Sequence, residues 1–259
     1  MDNTDIVAIY ADLRQTARDI AAACPPPVFY RDLSRAVMRS RDSLAASPLL
    51  QELAAFVRER TRQNLGHGMG HAMQVALDAG AVAATEAALA GCPETEADRL
   101  MLLAHCAGLL HDISRTSPDH AIEGARVAGR HLAEAGVLDD ADITLVTFAI
   151  RCHEAFKPAQ PPDSVYSHIV SGSLYDADKF RWGPDNFTHT LWKMIETAPP
   201  PLAKFVRHYP GALAVIADIK TTFRTRTGRT YGPQFIDTGL GIGNALLEVI
   251  RSRYAHLLS

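Results

Sequence analysis

Six residues from the middle of the chain constrain its fold more than any other feature: His71, the neighbours His111 and Asp112, His120, His153 and Asp178. His111 follows His71 by 40 residues, His120 follows His111 by 9, His153 follows His120 by 33, and Asp178 follows His153 by 25. Side chains so far apart in sequence cannot share one helix or strand. If they act together, separate elements must converge, as facing helices do when they build a metal site in a bundle core. Imidazole and carboxylate suit divalent Mn, Fe, Co, Ni or Zn. No thiolate belongs to the set, which argues against a cysteine-rich structural zinc.

Each of these residues alone has a plainer reading, since a lone inward histidine is more often a hydrogen-bonded core residue than a ligand. The joint order changes the balance. A buried cluster of histidine and aspartate carries a large desolvation cost unless a metal or mutual hydrogen bonds offset it.

With 47% hydrophobic residues over 259 positions, the chain can build a core, as one large domain or a core domain with helical extensions. The net charge of −3 leaves no footprint for a nucleic-acid backbone. Cys24, Cys92, Cys106 and Cys152 form no Cys-x-x-Cys pair and read as free thiols of a reducing compartment. The acidic N-terminus carries no readable secretory signal. No segment reaches the roughly 18 apolar residues of a membrane span. The expectation is a cytoplasmic protein with no membrane or nucleic-acid partner, and a homo-oligomer is compatible with it.

The pattern predicts an all-α fold. A helix over residues 4–22 is stopped by Pro25, Pro26 and Pro27. Two further helices fill the stretch to about Arg62, and the glycine-rich residues 65–70 form a turn or a strained helix start. The next helix carries His71 and Val75 one turn apart. After the break at Gly91-Cys92-Pro93, a helix opening at Thr95 presents Leu100, Ala104, Ala107 and His111 as one stripe. A loop over residues 114–118 follows, and Asp119 caps a helix with His120 in its first turn. A helix from about residue 140 to 156 aligns Ile143, Val146, Ile150 and His153, and another over residues 166–180 delivers Asp178. The tail holds two or three helices around a polar, basic loop over residues 224–233. Residues 1–65 and 196–259 read as helical flanks packed on a metal-binding unit over residues 66–195.

The stretch Leu109-Leu110-His111-Asp112-Ile113 matches the motif that names the HD superfamily of metal-dependent phosphohydrolases. The chain resembles that superfamily further on. His120-Ala121-Ile122-Glu123-Gly124-Ala125 is similar to its downstream histidine followed by small residues. Ile150-Arg151-Cys152-His153-Glu154 is similar to its next histidine at a helix end. Tyr175-Asp176-Ala177-Asp178-Lys179 is similar to its closing motif, in which the second aspartate is the ligand. The resemblance covers about residues 66–183 and leaves the flanks unexplained. It implies an HD-domain helical bundle in which His71, His111, Asp112 and Asp178 hold one metal. Asp112 would bridge to a second metal held also by His120 and His153. The implied cofactor is one or two divalent ions, Fe, Mn, Ni, Co or Zn, with Mg as a further candidate. The implied reaction is hydrolysis of a phosphate ester of a nucleotide or another small phosphorylated metabolite by a metal-activated water. A few HD-fold proteins use the same ligand order in a di-iron oxygenase acting on a small organic or phosphonate substrate, and that is the alternative. A non-catalytic binding module fits less well, because the ligand set is intact.

Three cations complete the candidate site. Arg115, four residues after His111, offers bidentate donors to phosphate oxygens or is a solvated loop charge. Lys179 and Arg181 flank Asp178 within reach of a phosphate. Asp112, Arg115 and Lys179 are thus the expected catalytic residues, and Arg115, Lys179 and Arg181 the expected substrate-binding ones. His67 stands four residues before His71, a helical ligand spacing, but the glycines around it leave its helix start undefined and it is not counted. The basic stretch from Arg224 to Arg229, with Tyr231, is a second place for a phosphate or nucleobase contact, or an ordinary exposed turn. Trp182 and Trp192 read as packing residues.

Overall fold

The apolar stripes of the sequence become helices throughout the computed structural model, which describes residues 3–60, 68–158 and 160–258. No strand occurs among the described residues, which are all-α as expected. The first helix, α1, spans Asn3–Ala22 and ends ahead of the three prolines. Three helices follow where the sequence pattern predicts two: α2 (Val28–Asp32), α3 (Ser34–Ala46) and α4 (Pro48–Arg60). The extra break falls before Pro48, whose missing N–H costs nothing in a first helical turn but would cost a bond inside a continuous helix. Residues 61–67, including His67 and part of the glycine-rich turn, lie outside the described residues.

The bundle that carries the site comprises α5 (Met69–Leu89), α6 (Glu94–Leu110), α7 (His120–Ala135), α8 (Asp140–Arg151) and α9 (Val165–Phe180). With α4 these helices bury a first core that includes Leu53, Val75, Leu100, Leu110, Ile150 and Leu174. The small residues of α5 allow it to lie close to α6. A Cβ on Gly108 would meet the Ala76 Cα at 2.5 Å, so only glycine fits there. That close approach brings the start of α5, with His71, beside the end of α6, with His111.

The expected α6 stripe is fully buried at Leu100, Ala104, Ala107 and His111. Helix α8 is shorter than predicted. It ends at Arg151, where the Cys152 N–H reaches both the Phe148 and Ala149 carbonyls and the His153 N–H reaches the Ile150 carbonyl. The last turn tightens and places His153 just beyond the helix. Asp139 caps α8 by accepting from the Asp142 N–H at 2.8 Å. Asp119 precedes α7 without using its side chain as a cap, against the sequence expectation.

After a π-helical turn over Asn186–Thr190 come α10 (Leu191–Ile195), α11 (Leu202–Asp218) and α12 (Arg226–Arg253). Helix α12 packs on α1, and a second core forms around Leu13, Phe29, Phe180, Phe235, Ile242 and Leu246. The basic stretch read as a loop is instead the N-terminus of α12. Thr225 caps it by accepting from the Gly228 N–H at 2.7 Å. Buried Asp176 accepts from the Arg224 and Thr225 N–H groups, both at 2.8 Å, and from the Thr225 hydroxyl at 2.7 Å. Glu86 accepts from the Thr227 N–H at 2.7 Å. Carboxylates at a helix N-terminus satisfy its orphan donors and complement its dipole. Gly228, Gly232 and Pro233 suggest a loop only while these distant partners are unknown. No helix among the described residues is long and apolar enough to cross a membrane.

Candidate metal centre

Five helix ends converge on one point. His71 sits in the first turn of α5, His111 and Asp112 directly after α6, His120 at the first position of α7, His153 just past α8, and Asp178 in the last turn of α9. The structure brings all six side chains together as two trios. In the first, the His71 Nε2 lies 3.2 Å from the His111 Nε2 and 3.3 Å from the Asp178 Oδ1. The His111 Nε2 lies 3.8 Å from the same carboxylate oxygen. In the second, the Asp112 Oδ1 lies 3.6 Å from the His153 Nε2 and 3.8 Å from the His120 Nε2. The other Asp112 oxygen, Oδ2, faces the first trio, 3.6 Å from the His111 Nε2. Within each trio the donor atoms lie within 4.8 Å of one another, close enough to share one cation.

The imidazoles are set up as ligands. Nδ1 of His111 donates to the Gly108 carbonyl at 2.8 Å, and Nδ1 of His153 donates to the Ile150 carbonyl at 2.6 Å. A carbonyl only accepts, so each ring carries its proton on Nδ1 and turns an Nε2 lone pair toward the cluster, the tautomer that metal-ligating histidines adopt. Burial lowers the His111 pKa to about 4, which keeps it neutral. His120 is also shifted down, first by burial and then by the nearby Arg115 guanidinium. Burial alone would raise Asp178. The Lys179 ammonium foremost, and then the hydrogen bond with His71, outweigh it and hold this carboxyl well below its usual range. Two carboxylates and four imidazoles, with no thiolate, form a donor set that fits divalent transition metals.

The expected cations take different places. Arg115 donates from Nη1 to the His120 Nε2 at 2.8 Å and stands 3.6 Å from the Asp112 Oδ1, at the open side of the second trio. Lys179 is buried, donates to the Asp178 Oδ2, and stands over the rings of Tyr175 and Trp182. It leaves Oδ1 of Asp178 to the histidines. Arg181 borders the same cavity, but its guanidinium is bonded to buried Asp78, to Tyr30 and to Asp185. These bonds make it a strut between α9, α5 and the N-terminal helices. Arg224 donates to the Cys152 carbonyl and lies 3.6 Å above the Tyr175 ring, which ties α12 to the segment bearing His153. Trp192 is buried in the second core, and Trp182 borders the cavity.

Sequence patterns alone do not single out Glu154, Phe156 or the walls from α10 and α11. Glu154 places Oε1 3.6 Å from the His120 Nδ1 and pairs with Lys157 at 3.0 Å. Its position next to His153 is the one signal that points to it. Glu154, Phe156 and the α10 and α11 walls border one cavity of about 530 Å³ that opens onto the two trios.

No family model matches this chain, and no curated protein matches it. Among solved structures it is similar to one described as a "predicted HD superfamily hydrolase" from an uncultured Thermotogales bacterium. The identity is 21%, with 83% of this chain and 98% of that one covered, at a TM-score of 0.48. Fold and site together define, among the described residues, an all-α protein with a buried histidine–aspartate centre suited to divalent cations.

Proposed function

We propose that the chain is a metal-dependent phosphohydrolase of the HD superfamily, acting on a phosphate ester of a small phosphorylated metabolite. The observation that carries this reading is the placement of Asp112, whose two oxygens each face one trio. What divalent cations supply at such a paired centre is Lewis acidity, making hydroxide available near neutral pH and neutralising phosphate oxygens.

The chain's own residues do the rest. His111 and His153 are locked by their backbone acceptors, so their lone pairs need no reorientation. Lys179 fixes Asp178 and keeps it ionised. Arg115 is half-exposed at the mouth of the centre, where its planar fork can take up phosphate oxygens that gain charge in the transition state. Glu154 faces the remaining nitrogen of His120 and sets which way that ring is turned.

The test starts from protein stripped with chelator and reloaded with one divalent metal at a time. Release of inorganic phosphate from a panel of phosphorylated metabolites should return with metal and be absent in Asp112→Asn. Oxygen uptake by the iron-loaded chain, with no phosphate released from any substrate, would overturn the proposal in favour of a di-iron oxygenase.

A further inference from the structure

The cavity beyond the trios has two unlike ends. Asp112, Asp178, Arg115 and Lys179 gather at one end, against the candidate metal centre. Away from that centre the lining comes from α10 and α11, with Leu191, Met194, Ala212, Val215 and Ile216, and from the preceding π-helical turn, whose Asn186 and Thr190 are polar. Met194 and Val215 are exposed apolar side chains at the opening, 60% and 46% accessible. Phe156 joins them at 57%, held at a φ of +60°. A left-handed backbone at a bulky residue is strained, and such strain concentrates at ligand-binding positions. Leu191, Ala212 and Ile216 also border an adjoining apolar cavity of about 300 Å³ that reaches Phe205 and Tyr209. Leu191 of α10 and Ala212 and Ile216 of α11 thus border two cavities.

From this polarity we infer that the substrate is an anionic amphiphile: a phosphate head placed at the trios and Arg115, and an apolar alkyl, prenyl or aromatic body lying on α10 and α11. The inference rests on the phosphohydrolase reading for the head and on the α10–α11 wall for the body. A nucleoside would bring sugar hydroxyls and base edges to that wall, and polar groups buried without partners are costly. An apolar body gains from the same burial, by roughly 0.8 kcal/mol for each methylene, or about three- to fourfold in affinity. It would also cover the exposed Met194, Val215 and Phe156.

Calorimetric titration of the manganese-loaded chain with inorganic phosphate, n-alkyl phosphates from ethyl to octyl, n-alkyl alcohols and AMP tests this without relying on turnover. Affinity should rise about threefold per added methylene until the cavity is filled, and AMP should bind no more tightly than ethyl phosphate. Val215→Asp and Met194→Asp change exposed positions, so folding is not at stake, and each should cut the gain per methylene by at least half. Phosphate binding with no dependence on chain length would overturn the amphiphile and leave the phosphohydrolase standing. AMP binding more tightly than octyl phosphate would do the same. Alcohols matching the alkyl phosphates at each length would support the apolar body and remove the phosphate head.

Discussion

Arg115 donates from its Nη1 to the Nε2 of His120 at 2.8 Å, so the lone pair that would ligate a metal is held by a cation of the chain itself. Guanidinium has no acceptor, and the bond therefore identifies His120 as neutral with its proton on Nδ1, facing Glu154. A metal at the second trio and this hydrogen bond exclude each other. Arg115→Ala should leave manganese affinity at the second trio unchanged or raise it. On a hydrolysed substrate, kcat should fall by about tenfold or more while KM moves less, since a charged hydrogen bond made in the transition state is lost. Calorimetry and steady-state kinetics check the two halves separately. Unchanged kinetics would return Arg115 to the role of a solvated loop charge.

Lys179 is buried with its ammonium on Asp178. Lys179→Met keeps the length and removes the charge. Asp178 then loses the main interaction that opposes its burial, and its pKa should rise. Metal affinity at the first trio should weaken by about 10- to 100-fold, as when outer partners of metal ligands are removed. Titration with manganese followed by electron paramagnetic resonance reads this directly. Affinity unchanged alongside a raised KM would make Lys179 a substrate ligand instead.

Asp176 and Thr225 fasten α12 to the bundle. Asp176→Ala leaves two backbone donors and a hydroxyl without their acceptor and should cost about 3 kcal/mol in denaturant unfolding. Arg226→Ala and Arg229→Ala should change neither stability nor KM noticeably, because the basic stretch serves as a helix start. A KM raised several-fold in either arginine variant would restore it as a phosphate contact.

His105 supplies a pH signature away from the metal centre. Its Nε2 lies 2.8 Å from the Ser40 hydroxyl, whose single proton goes to the Leu77 carbonyl, so the ring must donate there. Its buried Nδ1 has no hydrogen-bond partner among the described residues. Burial lowers the pKa from 6.5 to about 4. Between those values the unfolded chain binds the extra proton and the folded one does not. Stability is thus full above the ordinary pKa and falls as pH drops toward the folded one, by about 3 kcal/mol in all. Urea unfolding of the wild type and His105→Gln, both with chelator present, should show the wild type losing more stability between pH 7 and pH 4.5. Parallel loss in the two proteins would show that His105 does not carry the effect.

What is legible in the sequence is what local periodicity fixes. Leu100, Ala104, Ala107 and His111 step at helical intervals, so spacing alone gives the inward direction of His111. The helix bearing Asp178 is equally plain, and the identity of the second aspartate in Asp176-Ala177-Asp178 follows from resemblance. Features set by distant partners are not legible. Arg181 reads as a free cation beside a ligand until Asp78 and Tyr30, more than a hundred positions away, take its guanidinium. The basic stretch reads as a loop until Asp176 and Glu86 satisfy its backbone donors. The end of α8 depends on how His153 and Cys152 close the last turn, which no pattern of apolar residues encodes. The α10–α11 wall of the cavity lies past residue 183, beyond every motif of the resemblance.

Crystals of the chain soaked in manganese and measured for anomalous scattering test the central claim most directly. The account predicts two peaks in each chain, one among His71, His111 and Asp178 and one between His120 and His153, with one Asp112 oxygen beside each. In Asp112→Asn crystals both peaks should weaken. No peak at either trio, or a single peak whose ligands leave out His120 and His153, would contradict a paired centre bridged by Asp112.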